Sequence, residues 1–172
     1  MDTQQIGLIL SADVVSCDQK KLCSLWAGYG YINALTITFR DESKPIVKLI
    51  FKVVQAPHDS GEAHERKVSS YVVEAAFYEA CVQRLVKVGV SIATPLYVTK
   101  DIEGKISLLM TDLREQFPIN DDSMLCRGRT KAALDWLAKF HAAFWQQPAA
   151  EEYGLWKEGC YWRLDTRMSE FA

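Results

Sequence analysis

Residues 46–54, Ile-Val-Lys-Leu-Ile-Phe-Lys-Val-Val, set two lysines into an otherwise apolar, β-branched run. Such composition reads as a strand. Its two-residue period puts Ile46, Lys48, Ile50, Lys52 and Val54 on one face and Val47, Leu49, Phe51 and Val53 on the other. Either face could be the buried one. Lys48 lies near the strand start, where water is close. Lys52 lies in the middle, where an ammonium is costly to hold unless it meets a carboxylate or an anion. The alternative is a lysine that snorkels from an edge strand.

The rest of the chain supplies elements for this strand to pack against. Residues 1–17 form a weakly patterned arm, a strand or a short helix. After the turn Gly28-Tyr29-Gly30, residues 31–39 are rich in β-branched and aromatic side chains. Asp41-Glu42-Ser43-Lys44-Pro45 then forms a polar turn into the Lys52 strand, so two or three antiparallel strands are expected. Pro57-His58-Asp59-Ser60-Gly61 breaks the pattern. Asp59 and Glu62 have capping-box spacing, and a long helix is expected over 62–87, stopped by Gly89. On it Tyr71, Glu74, Ala75, Tyr78, Cys81, Val82 and Leu85 share a face.

Residues 95–99 and 105–110 flank Asp101-Ile102-Glu103-Gly104 and read as a hairpin. A polar connector containing Pro118 leads to a helix over 127–146, with an apolar face of Ala132, Ala133, Trp136, Leu137, Phe140, Ala143 and Phe144. His141, mid-helix beside Phe140, reads as a packed, hydrogen-bonded histidine more than as a catalytic one. The tail adds Tyr153, Trp156, Tyr161, Trp162 and Phe171. The order is strand, strand, strand, long helix, hairpin, connector, helix.

Composition narrows the partners. The 172 residues are 49% hydrophobic and 24% charged, which describes a folded globular chain. A net charge of −2 gives no electrostatic reason to expect nucleic acid or an acidic membrane. Five cysteines (Cys17, Cys23, Cys81, Cys126, Cys160) form no CxxC pair and have no histidine at ligand spacing. They read as reduced thiols, with Cys81 packed in a helix, and argue against zinc or a disulfide frame. The N-terminal run Ile6-Gly7-Leu8-Ile9-Leu10 has no basic residue before it, unlike a secretory signal. No apolar stretch approaches the ~20 residues that span a bilayer. A cytoplasmic protein is expected.

Several segments together resemble the aminoglycoside phosphotransferase and choline-kinase-like superfamily, nearest its ecdysteroid-kinase-like (CHK kinase-like) branch. They are Ser24-Leu25-Trp26-Ala27-Gly28-Tyr29-Gly30-Tyr31-Ile32, Leu49-Ile50-Phe51-Lys52, residues 66–74 with Phe77-Tyr78, Leu109-Met110-Thr111-Asp112-Leu113, and Leu137-Ala138-Lys139-Phe140-His141-Ala142. Tyr161-Trp162-Arg163-Leu164-Asp165-Thr166-Arg167 is similar to a segment that follows this last helix in some members. The resemblance covers residues 22–167, and it lies in the order and spacing of the set.

The resemblance implies an α+β fold: a protein-kinase-like small lobe over residues 1–113, with an antiparallel sheet and one long helix. Residues 114–172 would be a connector and the first helix of an incomplete helical lobe. It implies ATP as the cofactor, with Mg²⁺ in an intact homologue, and a small-molecule hydroxyl as phosphate acceptor. Gly28 and Gly30 would lie over the nucleotide phosphates, although a short GxG is also a common hairpin turn. Lys52 would contact the α and β phosphates, held by Glu74. Glu79, the competing acid, lies about 140° further round the helix. Met110, Thr111, Asp112 and Leu113 would form the adenine-facing hinge, with Asp112 capping a turn.

The same family places its acceptor-orienting Asp in a His-x-Asp…Asn loop, followed by an Asp that holds Mg²⁺. No such motif occurs in the 172 residues: His58-Asp59, His64-Glu65 and His141-Ala142 do not fit it, and Asp165 has no Asn after it. No catalytic residue and no metal ligand is therefore assigned. The expectation is an N-terminal fragment of a small-molecule kinase that is inactive by itself. The alternative is a non-catalytic nucleotide- or protein-binding module on the same fold.

Overall fold

The computed structural model describes residues 1–118, 126–157 and 168. In chain order these form α1 (Thr3–Leu10), β1 (Val14–Ser24), β2 (Gly30–Phe39), β3 (Val47–Val54), α2 (Glu62–Ala80), α3 (Val82–Lys87), β4 (Pro95–Lys100), β5 (Ile106–Thr111) and α4 (Arg127–Ala143), with short 3₁₀ turns at Trp26–Gly28 and Ala150–Tyr153. The fold is α+β. Its five strands make one antiparallel sheet in the order β1-β2-β3-β5-β4.

The strand that carries Lys52 is central, and both of its faces are covered. Leu49, Phe51 and Val53 join Leu35, Ile37, Phe39 and Leu109 beneath α1, whose Ile6 is fully buried among them. On the opposite face Ile50 and Val54 meet Ile106, Leu108 and Met110 under α2, which adds Tyr71, Val72, Ala75 and Tyr78. Two clusters on a single sheet explain why the apolar residues of β3 do not alternate cleanly with polar ones.

The N-terminal arm resolves into both a helix and a strand. Asp2 Oδ1 accepts from the Gln5 backbone N–H at 2.8 Å while the Asp2 N–H donates to Gln5 Oε1, a complete capping box. β1 follows as an edge strand, mostly exposed, with Asp18, Gln19, Lys20 and Lys21 along it. Polar side chains protect such an edge and erase the apolar period by which a strand is read.

Three local expectations need correction. Asp59 does not cap α2: its carboxylate accepts from the Ser60 N–H, and Gly61, at φ 108°, occupies the N-cap with no side-chain bond. The helix expected over 62–87 is broken at Cys81 (φ −108°, ψ −31°), where α2 gives way to α3, and Cys81, Val82 and Leu85 all turn fully into the core. His141 is exposed rather than packed, because no residue of α4 is buried; its ring only stands edge-on to Phe140.

The hairpin and the helix stop form as the sequence indicates. Asp101 Oδ1 accepts from the Glu103 and Lys105 backbone N–H groups, and Gly104 supplies the positive φ of the β4–β5 turn. Gly89, at φ 74°, ends α3. The segment 161–167 and Cys160 lie outside the described residues, as does the connector from 119 to 125. The described cysteines, Cys17, Cys23, Cys81 and Cys126, are free thiols.

Candidate functional site

Register fixes the lysine. Lys52 stands opposite Ile32 of β2 and Leu108 of β5, so its side chain leaves the sheet on the α2 face. There Nζ donates to both oxygens of Glu74, at 2.7 and 2.6 Å. The Lys52 side chain is 13% exposed and that of Glu74 32%. The Tyr71 ring lies one helical turn before Glu74, with Nζ 5.1 Å from its centroid. Glu79 faces solvent. Lys48, four residues earlier on the same strand face, pairs instead with Glu115 at the exposed end of the sheet.

The two glycines of the β1–β2 turn are required for different reasons. Gly28 has φ 78° and open space around it, so only its backbone conformation favours glycine. Gly30 has φ 139°, and a Cβ there would stand 2.0 Å from the Val53 carbonyl oxygen. The absence of a side chain at Gly30 lets the turn seat against β3 next to Lys52. The Gln55 N–H donates to the Tyr29 carbonyl at 2.8 Å and ties the turn to the end of that strand.

Tyr29, between these glycines, was not singled out from sequence. It is 5% exposed, with Oη 2.8 Å from His64 Nδ1 in α2. Lys67 Nζ sits 5.0 Å from the Tyr29 ring centroid and 5.6 Å from that of Trp26. The available signal was helical spacing: His64, Lys67, Tyr71 and Glu74 fall at i, i+3, i+7 and i+10, one stripe of α2.

Met110 to Leu113, expected from the resemblance as a hinge, lie where β5 ends. Met110 is buried in the α2-side cluster. Thr111 pairs with Leu49, its N–H donating to the Thr94 carbonyl while its Oγ1 accepts from the Thr94 N–H. Asp112 caps the turn that follows, accepting from the Arg114 backbone N–H at 3.0 Å and from its guanidinium at 2.9 and 2.5 Å. The Arg114 hydrogen bonds hold the Asp112 carboxyl below the usual carboxylate range, against the opposing effect of burial. The Leu113 carbonyl accepts from the Phe117 N–H.

A hollow of about 420 Å³ opens beside the end of β5, lined by Ala34, Thr36, Lys48, Asp112 and Arg114 among others. Ala34 and Thr36 stand opposite Ile50 and Lys48, so the hollow and Lys52 share one face of the sheet. Lys52 does not line the hollow; it lies four residues further along β3, on the order of 13 Å. Among the described residues no group of three His, Cys, Asp or Glu side chains could hold a metal ion. No helix among them is long and apolar enough to cross a membrane.

An antiparallel five-stranded sheet with a lysine on its central strand, paired to a glutamate of the helix packed across it, defines a kinase-like small lobe. A model of the ecdysteroid kinase-like family matches residues 30–153. The chain belongs to that family, whose members share a kinase-like phosphotransferase fold. Among curated proteins and among solved structures, none matches significantly.

Proposed function

We propose that these residues form the nucleotide-holding part of an ATP-dependent phosphotransferase that acts on a small-molecule hydroxyl. The observation that carries the proposal is the Lys52–Glu74 pair, both carboxylate oxygens on one ammonium, beside a glycine turn seated on the same strand. A lysine fixed in this way presents a positioned cation to the α and β phosphates, and the backbone around Gly28 and Gly30 covers them. The shared sheet face supports an extended ligand, with phosphates at Lys52 and a base toward Ile50, Ala34 and the hinge Met110, Thr111, Asp112 and Leu113.

In this reading residues 1–113 are the nucleotide lobe, and residues 114–172 lead into a helical lobe. The described residues fit the nucleotide and do not fit its metal. With no converging acids among the described residues and no His-x-Asp…Asn sequence, we assign no step of the transfer through Mg²⁺ to this chain. Its own part in the chemistry is binding and orientation of the phosphates. The acceptor-orienting Asp and the metal ligands would have to come from outside the described residues.

Titration with a fluorescent ATP analogue tests the proposal. Weak, saturable binding that Lys52→Ala reduces further is expected, with no phosphorylation of choline, aminoglycoside or sterol acceptors by the chain alone. Binding that is unchanged in Lys52→Ala would remove the lysine from the site. Magnesium-dependent phosphorylation of any of these acceptors by the pure chain would show that the catalytic groups lie within it.

A further inference from the structure

An aromatic residue at the apex of a glycine turn has little reason to be covered, yet Tyr29 is buried. It folds away from the turn onto α2. Its Oη meets His64 Nδ1, its ring centroid lies 5.6 Å from that of His64 and 6.1 Å from that of Tyr71, and the Lys67 ammonium stands over its ring. Tyr71 in turn lies under the Lys52 ammonium. Contacts therefore run without a gap from the turn, through Tyr29 and Tyr71, to Lys52 and Glu74.

The N-terminal part of α2 starts at Gly61 without a side-chain cap, its residues are exposed or half-buried, and the Arg66 side chain is 9% exposed. The turn region supplies contacts to His64 and Lys67, while Tyr71 packs both on Tyr29 and in the cluster on the sheet. The geometry points to Tyr29 and His64 as positioning residues: their contact latches the β1–β2 turn to α2 and keeps Glu74 and Tyr71 in place around Lys52. Turn and lysine then meet the phosphates as one preformed surface. The phosphate part of this inference rests on the nucleotide reading above; the latch itself does not.

Two measurements on the 172-residue chain test it. In hydrogen exchange without nucleotide, Tyr29→Phe keeps the ring and removes only Oη, and His64→Ala removes its partner. Each is expected to speed exchange about fivefold in peptides covering residues 25–33 and 62–74, the effect of one net hydrogen bond. The double variant should go no further than either single one, and His64→Asn, which keeps a polar atom near the Nδ1 position, should restore part of the protection. Exchange in the β4–β5 hairpin should stay unchanged, which separates a latch from general loosening. Unchanged exchange at the turn and α2, or an equal rise in the hairpin, overturns the latch.

In the second measurement, Tyr29→Phe should weaken binding of the fluorescent ATP analogue about fivefold in the parent chain and have no further effect in Lys52→Ala. A full additional loss in the Lys52→Ala background would show that Tyr29 does not act through the lysine. If the parent chain binds no nucleotide, the nucleotide reading and the phosphate part of this inference both fall. The exchange result then decides the latch alone.

Discussion

Glu74→Ala leaves the Lys52 ammonium, 13% exposed, with the Tyr71 ring as its remaining described contact. At a separation of 2.6 Å and an effective dielectric of about 20, the gross attraction lost is about 6 kcal/mol. Most of this is offset by the water that both groups shed on folding. Glu74 is about a third exposed, which moves the pair below the ~3–5 kcal/mol of a fully buried one and above the ~1 kcal/mol ceiling of a surface one. A destabilisation of about 2 kcal/mol is expected, or a drop in melting temperature of about 4–8 °C for a chain of this size. Lys52→Met should cost only about 1 kcal/mol, because its thioether packs on Tyr71 and the freed Glu74 can rehydrate. The double variant should cost no more than Lys52→Met, giving a coupling of about 2 kcal/mol. Urea denaturation followed by far-UV circular dichroism measures all four proteins at low concentration. Additive single effects, with coupling under about 0.5 kcal/mol, would mean that solvent screens the pair, and the argument for a positioned lysine would fail.

The two glycines should separate sharply in the same assay. Gly28→Ala should cost about 1 kcal/mol for its left-handed backbone alone, whereas Gly30→Ala adds the collision with the Val53 carbonyl and should cost at least about 3 kcal/mol. Equal costs would contradict the close seating of the turn. Asp112, its side chain 2% exposed, has a carboxyl held low by Arg114, so its contribution to stability is present above the ordinary carboxylate range and is lost as pH falls through the lowered value. Arg114→Gln should raise the Asp112 titration seen by ¹³C NMR and move acid destabilisation to higher pH; an unmoved titration would remove the guanidinium as the cause. Leu134, Leu137 and Trp145 on and just beyond α4 are exposed, so the pure chain should self-associate at tens of micromolar and bind a hydrophobic dye. Leu134→Glu with Leu137→Glu should reduce both, and a monodisperse parent chain in light scattering would count against an uncovered face.

The sequence by itself determined what depends on short-range periodicity and turn chemistry. Alternation over residues 46–54 put Lys52 on one strand face. Helical spacing put Glu74 and Glu79 on different faces, and the resemblance, with Glu before Phe77-Tyr78, selected Glu74. Asp101 and Gly104 marked the β4–β5 turn, and Asp112 its own cap. Apart from that resemblance, each follows from which side chains one element can present together. What crosses between elements was decided by tertiary structure. Lys20 and Lys21 mask β1 because an edge strand buries little, and its partner β2 holds it. Cys81 ends α2 with neither glycine nor proline there, and Val82 and Leu85 enter the core from a separate helix. The same separation hid the Tyr29–His64 contact. These residues stand 35 apart in the chain and meet only because α2 lies across the sheet at the mouth of the glycine turn. A side chain's partner across such a gap depends on where a whole helix docks, and that is set by the sum of many weak apolar contacts, which no local pattern encodes.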